Sequence, residues 1–295
     1  MIAYKDLASR ERLGNQLFRY AFLRSMARRL GVKFYCPDWT GDKIFQLNDQ
    51  LERAKDLTGI KKAYVQSKGS PCYSKTALDI QDNTKISGYF QTEKYYQDKE
   101  AVREWFTFKD DVISSVKAKY GNIEFSRSVG LHLRLGDWVA PRGKVYHRYI
   151  PRWEYYQRAL LHVKHNDNIL IFSDEIDKAR EYFRFLKGNV IYMSGNKPYE
   201  DLYLMSRCQD FISSPSTLSW WGAWLNTNRD KIIIVPKEGP LRFSRQKVKD
   251  YWPKGYIKIR ALRPVLDSYN LLSIYTFILN FVKRFKQILE RKLSG

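Results

Sequence analysis

The sequence predicts an α/β fold built on parallel sheets, and three observations carry that prediction. Short β-branched or aliphatic runs alternate with amphipathic segments from residue 126 to about 237, the pattern of strands joined by crossover helices on both faces of a sheet. Apolar residues make up 44% of the chain and aromatic residues 15%, enough to fill a large core and to argue against disorder. The length of 295 residues exceeds what one small core organises, so two lobes are expected.

In chain order, the first 125 residues open with a helix from Asn15 to Leu30, then a strand at Lys33-Phe34-Tyr35-Cys36, a polar and basic middle, and an aromatic cluster from Gly88 to Tyr96. They read as a smaller, less regular α/β lobe spanning 1–125. The boundary is set near Lys117 to Ser128, where the polar run from Lys117 to Asn122 precedes the Arg134 strand. The second lobe, 126–264, is more regular. Strands are expected at Val129 to Leu133, Ile169 to Phe172, Val190 to Met193, Phe211 to Ser213 and Lys231 to Pro236. Helices are expected at Trp153 to Lys164, Glu175 to Leu186 and Glu200 to Cys208, with another opening around Ser216 to Ser219.

Residues 265–295 form a basic tail. From Leu271 to Leu289 apolar residues recur at three and four, while Ser273, Thr276, Asn280, Lys283, Gln287 and Glu290 keep mostly to another face, which predicts an amphipathic helix. Polar residues interrupt it too often for a spanning helix. Residues 268–295 suit peripheral contact with an anionic bilayer; packing on the body or on a second subunit is the alternative.

An excess of 52 Lys and Arg over 31 Asp and Glu gives a formal charge of +21, which concentrates anionic partners near the surface. Nucleic acid is not the partner expected, because no nucleic-acid motif occurs and the tryptophans sit in one apolar segment rather than among lysines. The three cysteines Cys36, Cys72 and Cys208 lie far apart and one must stay unpaired, which suggests a reducing compartment. With four histidines and no ligand spacing, a zinc site is not expected. The amino terminus turns charged by Lys5 and Asp6, too early for a signal peptide. A cytoplasmic address, peripheral on the inner membrane face through the tail, is the resulting expectation.

Four blocks carry chemistry. In Arg12-Leu13-Gly14-Asn15-Gln16 a glycine precedes a helix, where backbone can approach a ligand and Asn15 can either cap the helix or touch that ligand. In Gly88 to Tyr96, Glu93 is an acid among aromatics, suited to sugar binding or simply a hydrogen-bonded surface carboxylate. In His132-Leu133-Arg134-Leu135-Gly136-Asp137 a buried strand delivers a guanidinium and a carboxylate to its carboxyl end, where open α/β sheets place ligands. The Arg134 fork can grip phosphate oxygens or pair with Asp137. In Asp201 to Asn226 a helix, a strand and a hydroxyl-rich turn lead to a helix whose first residues, Ser216, Thr217 and Ser219, are either a phosphate cradle or plain helix caps.

Taken together and in this order, Leu13 to Gln16, Gly88 to Lys94, His132 to Asp137, Phe172-Ser173-Asp174 and Asp201 to Leu225 resemble the blocks of glycosyltransferase family 11, the α-1,2-fucosyltransferases. The resemblance covers roughly residues 10 to 240. Leu135 stands where the family has a second arginine, and Glu11-Arg12 replaces its Gly-Gly.

The resemblance implies a GT-B-like pair of Rossmann-like lobes with a cleft between them, the first on the acceptor side and the second binding GDP-sugar. It implies transfer of L-fucose with inversion from GDP-β-L-fucose to a hydroxyl, galactose O2 by family habit, of an oligosaccharide or lipid-linked surface glycan. No D-x-D sequence occurs, so no metal and no cofactor beyond the donor substrate is expected. Arg134 with Ser216, Thr217 and Ser219 would hold the diphosphate and Gly14 and Asn15 the donor. His132 would donate to a phosphate or fix the strand end, Asp174 would reach ribose or base, and Asp201 would read guanine. Asp137 and Glu93 are the candidates for general base, with a salt bridge to Arg134 as the other reading of Asp137. The alternatives are a related transferase with another nucleotide sugar, or a non-catalytic basic protein binding membrane or nucleic acid.

Overall fold

The computed structural model describes residues 1–9, 12–67, 73–136, 150–164, 167–237 and 250–261. Asp137, Cys72 and the tail at 265–295 lie outside them. The described chain contains two sheets, each parallel throughout. The first takes its strands from β1 (Ile2–Ala3), β2 (Phe34–Tyr35), β3 (Lys62–Val65) and β4 (Thr84–Ser87) in the spatial order β2-β1-β4-β3. The second uses β5 (Ser128–Leu133), β6 (Asn168–Ser173), β7 (Asn189–Tyr192), β8 (Asp210–Ile212), β9 (Ile233–Pro236) and β10 (Ile257–Ile259) in the order β10-β9-β8-β5-β6-β7. This is the two-sheet α/β architecture expected.

The helices are α1 (Leu13–Leu30), α2 (Thr40–Ile44), α3 (Lys99–Trp105), α4 (Asp110–Tyr120), α5 (Trp153–Leu160), α6 (Ile176–Tyr182), α7 (Pro198–Arg207) and α8 (Thr217–Leu225). Several differ from expectation at their ends. The α1 helix starts two residues earlier than expected, at Leu13, and stops at Gly31, whose φ of 65° lets its N–H bond back to the last turn. The α5 and α6 helices each end four residues short, at Leu160 and Tyr182, since side-chain periodicity continues into turns where the backbone no longer does. The α7 helix starts at Pro198, a residue whose fixed φ suits a first helical position.

Each sheet has one place where successive strands stop adding to one side and start on the other. In the second sheet β5, β6 and β7 run one way and β8 then pairs with the opposite edge of β5, with Leu131 beside Ile212. In the first, β2 flanks one side of β1 and β4 the other. Open sheets bind ligands at the carboxyl ends of such a pair, because the two connections diverge and leave a crevice. The loops after β1, β4, β5 and β8 are therefore the ones to inspect, and they are the four blocks singled out by sequence.

The tryptophan-rich α8 joins the sheets. Trp220, Trp221 and Trp224 are buried to 1% exposure or less, each removing about 200 Å² from water, on the order of 5 kcal/mol of transfer free energy. Their indole N–H groups donate to three separate segments: Trp220 to the Tyr251 carbonyl, Trp221 to the Gly14 carbonyl and Trp224 to Glu93.

Candidate active site

At the β5/β8 crevice, buried His132 and Ser214 meet across the strand pair, Nδ1 to Oγ at 2.6 Å. Burial pushes the His132 imidazole down to about 4, against a smaller upward pull from the Asp174 carboxylate. It is a neutral imidazole at physiological pH, so it offers a hydrogen bond and no charge. Two residues further on, Arg134 leaves the strand with its side chain 14% exposed, and its Nη1 lies 2.9 Å from Asp174 Oδ2. The other oxygen of Asp174 accepts from the Leu135 N–H at 2.9 Å. Asp174 thus grips the guanidinium and the backbone beside it.

On the β8 side Ser216 stands at the N-cap position of α8 without its hydroxyl capping the helix. Ser216 and Thr217 are both partly exposed, so the first turn of α8 offers hydroxyls together with orphan amides. Ser219 does not join them. It is fully buried and its hydroxyl is 2.8 Å from that of Ser213, because two residues beyond Thr217 the helix has turned toward the core.

The β1/β4 crevice contributes Gly14 and Asn15. A Cβ on Gly14 would lie 2.5 Å from the Leu218 nitrogen and 2.6 Å from the Thr217 carbonyl carbon and Oγ1, so the starts of α1 and α8 touch where only hydrogen fits. Asn15 lies in the first turn rather than at the cap, which is Arg12, and its Oδ1 accepts from Gln91 Nε2 at 2.9 Å. Gln91 follows Phe90, a bulky residue held at φ 51°, a left-handed conformation costing about 1–2 kcal/mol for a residue with a Cβ. Phe90 is wedged in aromatics, its ring stacked on Phe22 with centroids 3.7 Å apart. Sequence reasoning found this block but missed the strain, since nothing in a phenylalanine's neighbours announces positive φ.

Glu93 is brought elsewhere. One carboxylate oxygen accepts from Trp224 Nε1 at 2.9 Å and the other pairs with Lys99 at 2.9 Å. One oxygen thus anchors α8 and the other meets the first residue of α3. Asp201, in the first turn of α7 beyond β7, accepts from Asn196 at 2.9 Å. Burial raises it from the usual carboxylate range to about 7, opposed by that hydrogen bond. The β7 strand lies two spacings from β5, about 10 Å. Along the carboxyl ends of the second sheet, Arg134 thus follows β5, Ser216 follows β8 and Asp201 follows β7. Among the described residues no cluster of His, Cys, Asp and Glu is placed to hold a metal ion, and no helix is long and apolar enough to cross a membrane.

Comparison with known proteins places these features in a family. The family model described as "Glycosyl transferase family 11" matches residues 2–260. The O-antigen biosynthesis glycosyltransferase WbnK of Escherichia coli is 24% identical, over 77% of this chain and 91% of its own length. An α-1,2-colitosyltransferase of Escherichia coli is 27% identical, over 82% of this chain and 93% of its own. Galactoside α-(1,2)-fucosyltransferase 2 of Gorilla gorilla gorilla is 24% identical, over 76% and 69% respectively.

Proposed function

The chain belongs to glycosyltransferase family 11, and on that premise we propose that it transfers L-fucose, with inversion and without a metal, from GDP-β-L-fucose to a hydroxyl of a surface-glycan acceptor, galactose O2 being the favoured position. The observation that carries this reading is the contact between the starts of α1 and α8 at Gly14 and Thr217, because it brings the loops of both sheet crevices to one place.

The proposed roles follow from charge development. As the glycosidic bond breaks, the ring becomes cationic and the departing GDP gains negative charge, so groups that bind the diphosphate more tightly in that state lower the barrier. Arg134, held by Asp174, and the hydroxyls and amides at Ser216 and Thr217 take that role in this reading. Neutral His132 supports Ser214 and the strand end. Gly14 and Asn15 face the fucosyl side, and Asp201 takes guanine at the far end of the sheet edge. Asp137, outside the described residues, remains the proposed base, since both oxygens of Glu93 are engaged. The basic amphipathic sequence at 268–295 supports peripheral contact with an anionic membrane, where a lipid-linked acceptor would be found.

The guanine role has a pH signature. A carboxylate accepts from guanine N1–H and N2–H only when ionised, and with Asp201 raised to about 7 the ionised form exists above that pH. GDP affinity should therefore weaken by about tenfold per pH unit on going below 7, and Asp201→Asn should flatten the profile. Calorimetric titration with GDP between pH 5.5 and 8.5 measures both.

Purified protein supplied with GDP-fucose and a galactose-terminated acceptor tests the function itself. The expected result is acceptor-dependent GDP release and an α-1,2-linked product; neither GDP release nor binding of GDP would sink the proposal. A second reading, a different sugar on the same nucleotide, is favoured by the colitosyltransferase among the relatives. Faster turnover of GDP-colitose than of GDP-fucose would select it.

A further inference from the structure

We infer that Gln66, which lies outside all four sequence blocks, is a positioning residue that sets the geometry of Asn15 in the site; the inference rests on the donor-site reading above. Gln66 is buried at 6% exposure, one residue past the end of β3. Its N–H donates to the Ser87 carbonyl at 2.8 Å, carrying the β3–β4 pairing one step further. Its side-chain Oε1 then accepts from two successive backbone amides, Tyr89 N–H at 2.8 Å and Phe90 N–H at 3.0 Å.

Those two amides open the turn in which Phe90 takes its φ of 51°. A left-handed residue leaves its own and the preceding N–H pointing the same way, and a single oxygen satisfies both. Gly88 makes the approach possible, because a Cβ there would lie 2.5 Å from Gln66 Cβ and 2.8 Å from its Oε1. From the opposite side Tyr4, at the end of β1, receives the Gly88 N–H on its hydroxyl at 3.0 Å. The turn is therefore clamped between the ends of β1 and β3, and its product is the direction of Gln91, whose Nε2 bonds Asn15 Oδ1 at 2.9 Å.

Buried amides clamped by one side-chain oxygen, at a strained residue next to the site, are the arrangement expected where strain is used to aim a group. The chain of action runs from Gln66 to the Phe90 turn, to Gln91, to Asn15, and Asn15 adjoins the Gly14 contact with α8. In this scheme the Gln66 side chain touches no substrate. Its loss misaims the fucosyl side of the site while leaving the β5/β8 crevice, where GDP is held, as it was.

The test uses the full chain as wild type, Gln66→Met, Gln66→Glu, Gln91→Ala and the double variant Q66M/Q91A, each assayed for GDP-fucose turnover, GDP affinity and cooperative melting. For Q66M, kcat should fall about tenfold or more, with GDP affinity within threefold of wild type. Q66E keeps an acceptor oxygen for both amides but loses the amide donor beside Tyr95, and should recover part of the kcat that Q66M loses. Q66M should cost no further kcat in the Q91A background, because both act through one contact. Wild-type kcat in Q66M, equal impairment of Q66M and Q66E, or additive losses in the double variant would overturn the inference. So would parallel loss of GDP affinity and cooperative melting, which marks a merely structural residue. A wild type inactive on GDP-fucose instead overturns the donor reading and takes this inference with it.

Discussion

Arg134→Ala is expected to lower kcat for fucosyl transfer by about 10²- to 10³-fold while the protein still melts cooperatively. The size follows from where the charge sits. The Arg134 side chain is 14% exposed and held against Asp174 at 2.9 Å, so its guanidinium is aimed before the donor arrives and needs no reorganisation as negative charge builds on the diphosphate. The fold should survive because β5 is held by backbone pairing to β6 and β8, to which the Arg134 side chain contributes nothing. Arg134→Lys keeps the charge but loses the planar fork, and should recover only part of the rate. Steady-state kinetics beside a thermal melt decide the matter, and near-normal turnover by the alanine variant would refute the role.

Gly14→Ala should act through geometry, with a loss of about 10²-fold in kcat/KM and a lower melting temperature. The sign of the stability change is informative. Within a helix alanine is favoured over glycine by about 1 kcal/mol, so propensity alone predicts a rise. At Gly14, however, the new methyl would lie 2.5 Å from a backbone nitrogen of α8 and 2.6 Å from a backbone carbon, and backbone cannot rotate aside. The two helix starts must separate, stretching the Trp221 bond to the Gly14 carbonyl, now 3.1 Å, and pulling the two crevices apart. A melting temperature above wild type with full activity would show that the helices do not meet as described.

How much of this was readable beforehand differs between the two sheets. From residue 126 onward every strand of the alternating pattern was legible, because strands buried on both faces read as unbroken runs such as Ile169 to Phe172 and Ile232 to Val235. Only the last strand, β10, was missed. In the first sheet β1 has two residues, β3 is an edge strand with exposed side chains, and β4 alternates over only four positions. No window long enough to show a period contains them. Their pairing comes from contacts far apart in the chain, such as Ile2 with Thr84.

The candidate site residues divide the same way. Arg134 and Ser216 announced themselves because a guanidinium or hydroxyl at a strand's carboxyl end is a local pattern. The inward turn of Ser219, the clasp of Asp174 on Arg134 and the use of Glu93 by Trp224 were not local. Each depends on a partner brought close by the fold, Glu93 and Trp224 being 131 positions apart.

By itself the sequence determined the α/β class, the four blocks and the family they resemble, since periodicity and motif order are properties of neighbours along the chain. Tertiary structure alone decided that the starts of α1 and α8 meet at Gly14 and Thr217, and that Gln66 holds the Phe90 turn by two backbone amides. The reason is steric: contact at the closest approach of two backbones depends on how helices and sheets pack, and no stretch of sequence encodes its partner's position.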